Sequence, residues 1–244
     1  MNSTSAKLLA IRKVTQDNRG RKTAGVDGVR NLTPNQPLEL AQKLHLDGRC
    51  DPIRRVYIPK PGSEEKRPLG IPTIRDRAKQ ALAKMILEPQ WEARFEPNSY
   101  GFRPGRSCQD AIQAIWHTLT RSQTGKFVLD ADISKCFDTL NHDQLLAKMN
   151  TWPKLRKQVR AWLKVGVLDN GQLVTHTTGT PQGGVISPLL SNIALHGLEN
   201  HLKKWVEKQT IISQSGVKLS PSHKRSGLAC IRYADDFVST KTKL

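Results

Sequence analysis

Two adjacent carboxylates, Asp235-Asp236, lie in the run Ile231-Arg232-Tyr233-Ala234-Asp235-Asp236-Phe237-Val238, among residues that mostly favour strands. Burying charge costs several kcal/mol per group unless a partner compensates it. A divalent cation is the natural partner, because hard ions such as Mg2+ are held by one or two carboxylates together with phosphate oxygens. A third acid, Asp132, sits near the end of the alternating stretch Phe127 to Ile133. There Phe127, Leu129, Ala131 and Ile133 share one strand face, and Val128, Asp130 and Asp132 the other. A single strand-end Asp is ordinarily a cap or a surface charge; a pair with a third acid is a metal-binding pattern. If the two strands are neighbours, two ions about 3.5–4 Å apart can activate a hydroxyl nucleophile and stabilise a leaving phosphate group.

Composition supplies the partner for such chemistry. The chain has 244 residues, enough for one large domain or two small ones, and a formal charge of +18 from 39 Lys+Arg against 21 Asp+Glu. That excess repels itself in a compact fold unless a polyanion answers it, so nucleic acid is the leading partner. A membrane surface competes, but no continuous apolar run is long enough to span a bilayer. The start, Met1-Asn2-Ser3-Thr4-Ser5-Ala6-Lys7, lacks the apolar centre of a secretory signal. Cys50, Cys108, Cys136 and Cys230 are too far apart for metal-ligand spacing and read as reduced thiols. The setting expected is the bacterial cytoplasm, with an organelle as the alternative.

The elements that must position the acids follow from periodicity and turn chemistry. Helices are expected over Ala6 to Val14, Thr33 to Leu46 and Asp76 to about Phe95, where Pro89 should kink or end the last early. Arg54 to Lys60 and Lys66 to Thr73 predict a basic hairpin, with Lys60 and Arg67 facing each other across its turn. Ser107 with Asp110 makes a capping box, and Asn141 caps another helix. Gly166 to Thr178 reads as a hairpin around Asp169-Asn170-Gly171. Ser187-Pro188 starts a helix running towards Lys208, with Leu195, Leu198, Leu202 and Trp205 as its apolar face. A polar loop, about Ser213 to Ser226, leads to the acidic pair. Trp91, Trp116, Trp152 and Trp162 are expected to pack.

Three segments together resemble a known family. Phe127-Val128-Leu129-Asp130-Ala131-Asp132-Ile133-Ser134-Lys135-Cys136-Phe137-Asp138 is similar to motif A of reverse transcriptases. Gly179-Thr180-Pro181-Gln182-Gly183-Gly184-Val185-Ile186-Ser187-Pro188-Leu189-Leu190-Ser191-Asn192 resembles their motif B, and Tyr233-Ala234-Asp235-Asp236 their motif C, in the same order. Tyr100-Gly101-Phe102-Arg103-Pro104-Gly105-Arg106-Ser107 and Thr23-Ala24-Gly25-Val26-Asp27-Gly28 narrow the resemblance to the group II intron-encoded reverse transcriptases, or maturases. It covers essentially the whole chain.

The resemblance implies an α+β right-hand polymerase with an antiparallel palm sheet backed by helices. Residues 1–126 would form an N-terminal extension and fingers, and 127–244 an incomplete palm, with part of the fingers inserted around 145–180. It implies RNA-directed DNA synthesis from a dNTP onto a primer 3′-hydroxyl, with intron RNA binding and splicing assistance. Asp132, Asp235 and Asp236 become the catalytic ligands of two Mg2+ ions, for which Mn2+ can substitute. Asp132 is carried over because an aromatic, Phe137, follows five residues later; Asp130 on the same strand face is the runner-up. Lys60 and Arg67 fall on the triphosphate, Phe137 beneath the sugar as a steric gate, and Gln182 beside the nucleotide or template. Gly183 and Gly184 remove side chains where a base pair slides past the backbone. Tyr233 lies beside the primer terminus, and Arg103 and Arg106 touch RNA. Solvated or packing roles remain the plain alternatives for these basic and aromatic residues.

Family members continue beyond the motif C hairpin into further palm and a helical thumb, whereas this sequence stops eight residues after Asp236. The expectation is a fold without a thumb, and a separate C-terminal thumb or maturase polypeptide as a partner beside template RNA, DNA primer and dNTP. Two rival functions stay open. A non-catalytic splicing factor would need only the RNA-binding surface, and a viral-type RNA-dependent RNA polymerase would share the metal chemistry but has no use for Phe137 as a gate.

Overall fold

The computed structural model describes residues 3–59, 62, 64–121, 125–175, 178–180, 182–213 and 216–242. In chain order, α1 (Thr4–Arg12) and α2 (Gln36–Lys43) precede β1 (Ile53–Pro59), β2 (Lys66–Ile71) and α3 (Ile74–Glu92). Next come α4 (Cys108–Thr120), β3 (Lys126–Asp132), α5 (Cys136–Thr139), α6 (His142–Met149) and α7 (Pro153–Leu163). β4 (Val167–Asp169), β5 (Gln172–Val174), α8 (Ser187–Leu195), α9 (Leu198–Lys208), α10 (Pro221–Ser226), β6 (Leu228–Tyr233) and β7 (Asp236–Thr242) follow. The fold is α+β, as the sequence predicts. No described helix is long and apolar enough to cross a membrane.

Two compact units form, each from two stretches of chain: Met1–Trp91 with Cys136–Ala194, and Glu92–Lys135 with Leu195–Leu244. Each unit takes in residues from both sides of the fingers–palm boundary expected at 126/127.

The first unit carries a four-stranded sheet in the order β2-β1-β4-β5. β1 and β2 form the expected antiparallel hairpin, in a register that sets Arg67 opposite Ile58. Lys60, expected to face Arg67 across the turn, lies outside the described residues. β4 and β5 are joined by Asn170-Gly171, both at positive φ (49° and 85°), as a two-residue hairpin loop demands. The parallel pairing of β1 with β4, Ile53 opposite Val167, joins segments more than a hundred residues apart. Beside the sheet, Ala10, Ile11 and Val14 pack with Ala41 and Leu44 onto Ala78, Ala81 and Leu82 of α3. The same helix buries Asp76, Arg77, Lys79 and Gln80. Arg77 donates to the carbonyls of Gly20 and Thr23 (3.0 and 2.8 Å), and Lys79 to Asp47 and the Arg49 carbonyl (2.8 and 3.1 Å). Pro89 does not end α3, which runs on to Glu92.

The second unit is built on a three-stranded antiparallel sheet in the order β3-β7-β6. The Ser107 capping box opens α4: the Asp110 amide donates to Ser107 Oγ, and the Ser107 amide to Asp110 Oδ2. The single helix expected from Ser187 to Lys208 is two helices, because Gly197 takes a φ of 95° that interrupts it. The buried positions of α9 are consequently Glu199 and Val206, while Trp205 faces outward. Trp116 is likewise 60% exposed, against the expectation that it packs; Trp91 and Trp162 are buried. The polar loop before β6 contains a short helix, α10, capped by Ser220.

Candidate active site

In the second unit, β3 and β7 pair so that Asp132 stands directly opposite Asp236. Residues opposed in an antiparallel ladder project to the same face, with Cα atoms about 4.5–5.5 Å apart. Tyr233 in turn opposes Asp236 across the β6–β7 hairpin, leaving Ala234-Asp235 as its two-residue loop. The Asp235 carbonyl accepts from the Ile133 amide at 3.2 Å, which ties the loop to the residue following Asp132. Asp132 thus meets the adjacent pair Asp235-Asp236 at one sheet corner. Asp130 lies on the same strand face, opposite Val238. Burial raises the pKa of the Asp236 carboxyl above the ordinary value, and the charges of Asp235, Asp132 and Asp130 push in the same direction.

The segment before α4 is knitted to this corner. Arg103, expected at RNA, is 7% exposed, and each guanidinium nitrogen donates to protein. Its Nε and Nη2 donate to the Glu92 carboxylate, and Nη1 to the carbonyls of Glu96 and Ser99 (3.0 and 2.8 Å). A buried, fully engaged guanidinium organises the loop instead of presenting itself to a phosphate. Arg106 is half-exposed; it donates to the Pro97 and Ser99 carbonyls and lies 5.2 Å over the Tyr100 ring.

In the first unit, Phe137 lies in α5, and its carbonyl accepts from the Thr180 amide at 2.6 Å. Next to that bond, the Gly179 amide donates to the Leu140 carbonyl, and His142 Nε2 lies 2.5 Å from the Gly179 carbonyl oxygen. Motif B is thereby fastened to the chain that leaves motif A. Gln182 accepts from the Gly70 amide of β2 through its backbone carbonyl, at 2.6 Å. Gly183 takes a φ of 108°, and a Cβ there would lie 2.6 Å from the Gly70 carbonyl oxygen. Its bareness is thus already required by packing on β2, a reason separate from the expected passage of a base pair. Gly184 is buried, and Pro181 lies outside the described residues.

A family model described as reverse transcriptase (RNA-dependent DNA polymerase) matches residues 58–243, and one for the N-terminal domain of reverse transcriptase matches 1–44. The chain belongs to the reverse transcriptase family. Its relatives place it among the group II intron-encoded members. It is 35% identical over 215 residues to the group II intron-encoded protein LtrA of Lactococcus lactis, covering 85% of this chain and 35% of that protein. It is 37% identical over 255 residues to the protein YkfC of Escherichia coli, covering 95% of this chain and 66% of the relative. A putative COX1/OXI3 intron 1 protein of Saccharomyces cerevisiae is 32% identical over 193 residues, 72% of this chain and 23% of its own length. The chain thus spans less than two thirds of the length of each of these relatives.

Reverse transcriptases work with divalent metal ions. Among the described residues no three His, Cys, Asp or Glu side chains already enclose an ion site. A closed protein cage is not what Mg2+ needs, since it keeps waters and substrate phosphates in its shell. The donor set fits: the acids are hard oxygen ligands, and their mutual repulsion at Asp236 is what a cation would relieve.

Other residues that hold the motif segments in place are weakly signalled in the sequence. Gln80, buried in α3, accepts from the Val185 amide at 2.7 Å and anchors motif B. Its signal is a polar side chain among the apolar residues of a helix. Arg232, inside the motif C strand, is 3% exposed, and its sequence context does not set it apart from the chain's other arginines.

Proposed function

We propose that this reverse transcriptase-family chain carries the nucleotidyl-transfer site of an RNA-directed DNA polymerase of the group II intron type. The observation that carries the reading is the register of β3 on β7, which sets Asp132 opposite Asp236 with Asp235 in the adjoining loop. Two bound Mg2+ ions would supply activation of the primer 3′-hydroxyl and charge stabilisation at the leaving pyrophosphate. The chain's own part is to hold the three carboxylates on one corner. Lys60 and Arg67 are assigned to the triphosphate, Arg67 by its fork of donors. Phe137 is assigned to exclusion of a 2′-hydroxyl, Gln182, Gly183 and Gly184 to the nucleotide and template, and Tyr233 to the primer end. Template and intron RNA, DNA primer and dNTP are the proposed partners; the net charge of +18 supports the polyanions among them.

Extension of oligo(dT) on poly(rA) with Mg2+ tests it, comparing the chain with Asp235→Ala. Mg2+-dependent incorporation of dTTP lost in the variant is expected. Equal silence of both chains, with both binding intron RNA tightly, would favour the splicing-factor reading instead.

A further inference from the structure

Ala234, the first residue of the loop that carries Asp235, has a φ of 60°. A non-glycine residue in that region costs about 1–3 kcal/mol and persists only where its surroundings over-determine it. Here they do. Arg232 is buried, and its Nη1 donates to the Ala234 carbonyl at 2.7 Å while Nη2 donates to Ser99 Oγ at 2.7 Å. The Arg232 amide donates to the Asn98 carbonyl at 2.9 Å, and its carbonyl accepts from the Tyr100 amide at 2.8 Å. Residues around Ser99 thus run parallel to β6. Gly101 then passes so close to the loop that a Cβ would lie 2.2 Å from the Ala234 nitrogen and 2.9 Å from its Cα. The glycine is required by this approach. Behind it, Arg103 fixes the Ser99 carbonyl and leans on Glu92.

We propose that Arg232, Ser99 and Gly101 form a brace that sets the Ala234-Asp235 loop, so that Arg232 is a positioning residue for the Asp235 carboxylate. The proposal rests on the reading of Asp132, Asp235 and Asp236 as metal-holding. A guanidinium suits the task because its planar fork reaches two acceptors at fixed angles, whereas a lysine ammonium on a flexible stem does not impose that geometry. Arg232 has no part in binding metal or nucleotide itself.

The test is Mn2+ binding to the full chain, followed by the electron paramagnetic resonance signal of the free ion, for the wild type, Arg232→Lys, Ser99→Ala, Gly101→Ala and Asp235→Asn. Near-ultraviolet circular dichroism and Tm establish that each variant is folded. Asp235→Asn should lose the binding. Arg232→Lys and Gly101→Ala should weaken it about tenfold, and Ser99→Ala about threefold, each while folded. Should Arg232→Lys fail to fold, Ser99→Ala decides, since it keeps the bond from the guanidinium to Ala234. Folded brace variants that bind Mn2+ like the wild type while Asp235→Asn does not would overturn the brace alone. Wild-type binding by Asp235→Asn would overturn the metal reading and the brace with it.

Discussion

Asp132 and Asp236 face each other across the β3–β7 ladder, two like charges directly opposed where a sheet would be more stable with a neutral or oppositely charged pair. A device that only stabilised the fold would not be built this way. Asp236→Asn should therefore raise the stability of the metal-free chain at pH 7 by about 0.5 kcal/mol, the scale of exposed charge pairs. The same variant should lose roughly 10²-fold or more of any primer-extension activity. Paired measurements of urea midpoint and dTTP incorporation check both signs. A variant that is both less stable and equally active would contradict the account.

Gly183 approaches the β2 backbone at a φ only glycine adopts readily. Gly183→Ala should lower stability by about 2 kcal/mol, the scale of a strained left-handed residue. An unchanged urea midpoint would show that the turn of motif B can move away from Gly70 freely.

Arg103→Met removes a buried guanidinium and takes its ion pair from Glu92, while the Ser99 carbonyl keeps Arg106 and the Glu96 carbonyl keeps the Ser99 amide. Stability should fall by about 3 kcal/mol, the lower end for breaking a buried ion pair. RNA affinity measured by fluorescence anisotropy at several salt concentrations should keep its slope. Loss of about one phosphate contact's worth of slope would return Arg103 to the RNA surface.

The Asp110 carboxyl is held below the usual carboxylate range by the Ser107 hydroxyl and then by the Ser107 amide. A depressed acid contributes stability that is present above the unfolded pKa and lost as pH falls through the folded one. Asp110→Asn should accordingly lower Tm at pH 7, and the gap from the wild type should close as pH drops below the ordinary carboxylate range. A gap that persists undiminished at low pH would assign the effect to shape instead of charge.

What the sequence made legible was local. The Asn170-Gly171 hairpin and the Ser107 cap each depend on a few neighbouring residues, and each is present in the structure. The strand at 127–132 is present too, but its burial does not alternate, since Phe127, Val128 and Leu129 are all exposed. The acidic triad was legible because one family places three acids in a fixed order, although only the strand register shows Asp132 beside Asp236. The parallel pairing of β1 with β4 was not, since parallel partners leave no turn signal between them. Nor was the division of roles among arginines. In a chain with 39 Lys and Arg, nothing in composition separates Arg103 and Arg232, whose guanidinium groups are buried against carbonyls, from Arg67, which is exposed. The break at Gly197 was hidden because leucines continue at helical spacing on both sides of it.

Crystals of the chain soaked in Mn2+ give the most direct reading of the central claim, through anomalous difference density at the sheet corner. A peak within about 2.1 Å of carboxylate oxygens from Asp132 and from Asp235 or Asp236 is expected, the distance at which such small divalent ions are held. A corner without density, in crystals whose Mn2+ sits on other residues, would contradict it.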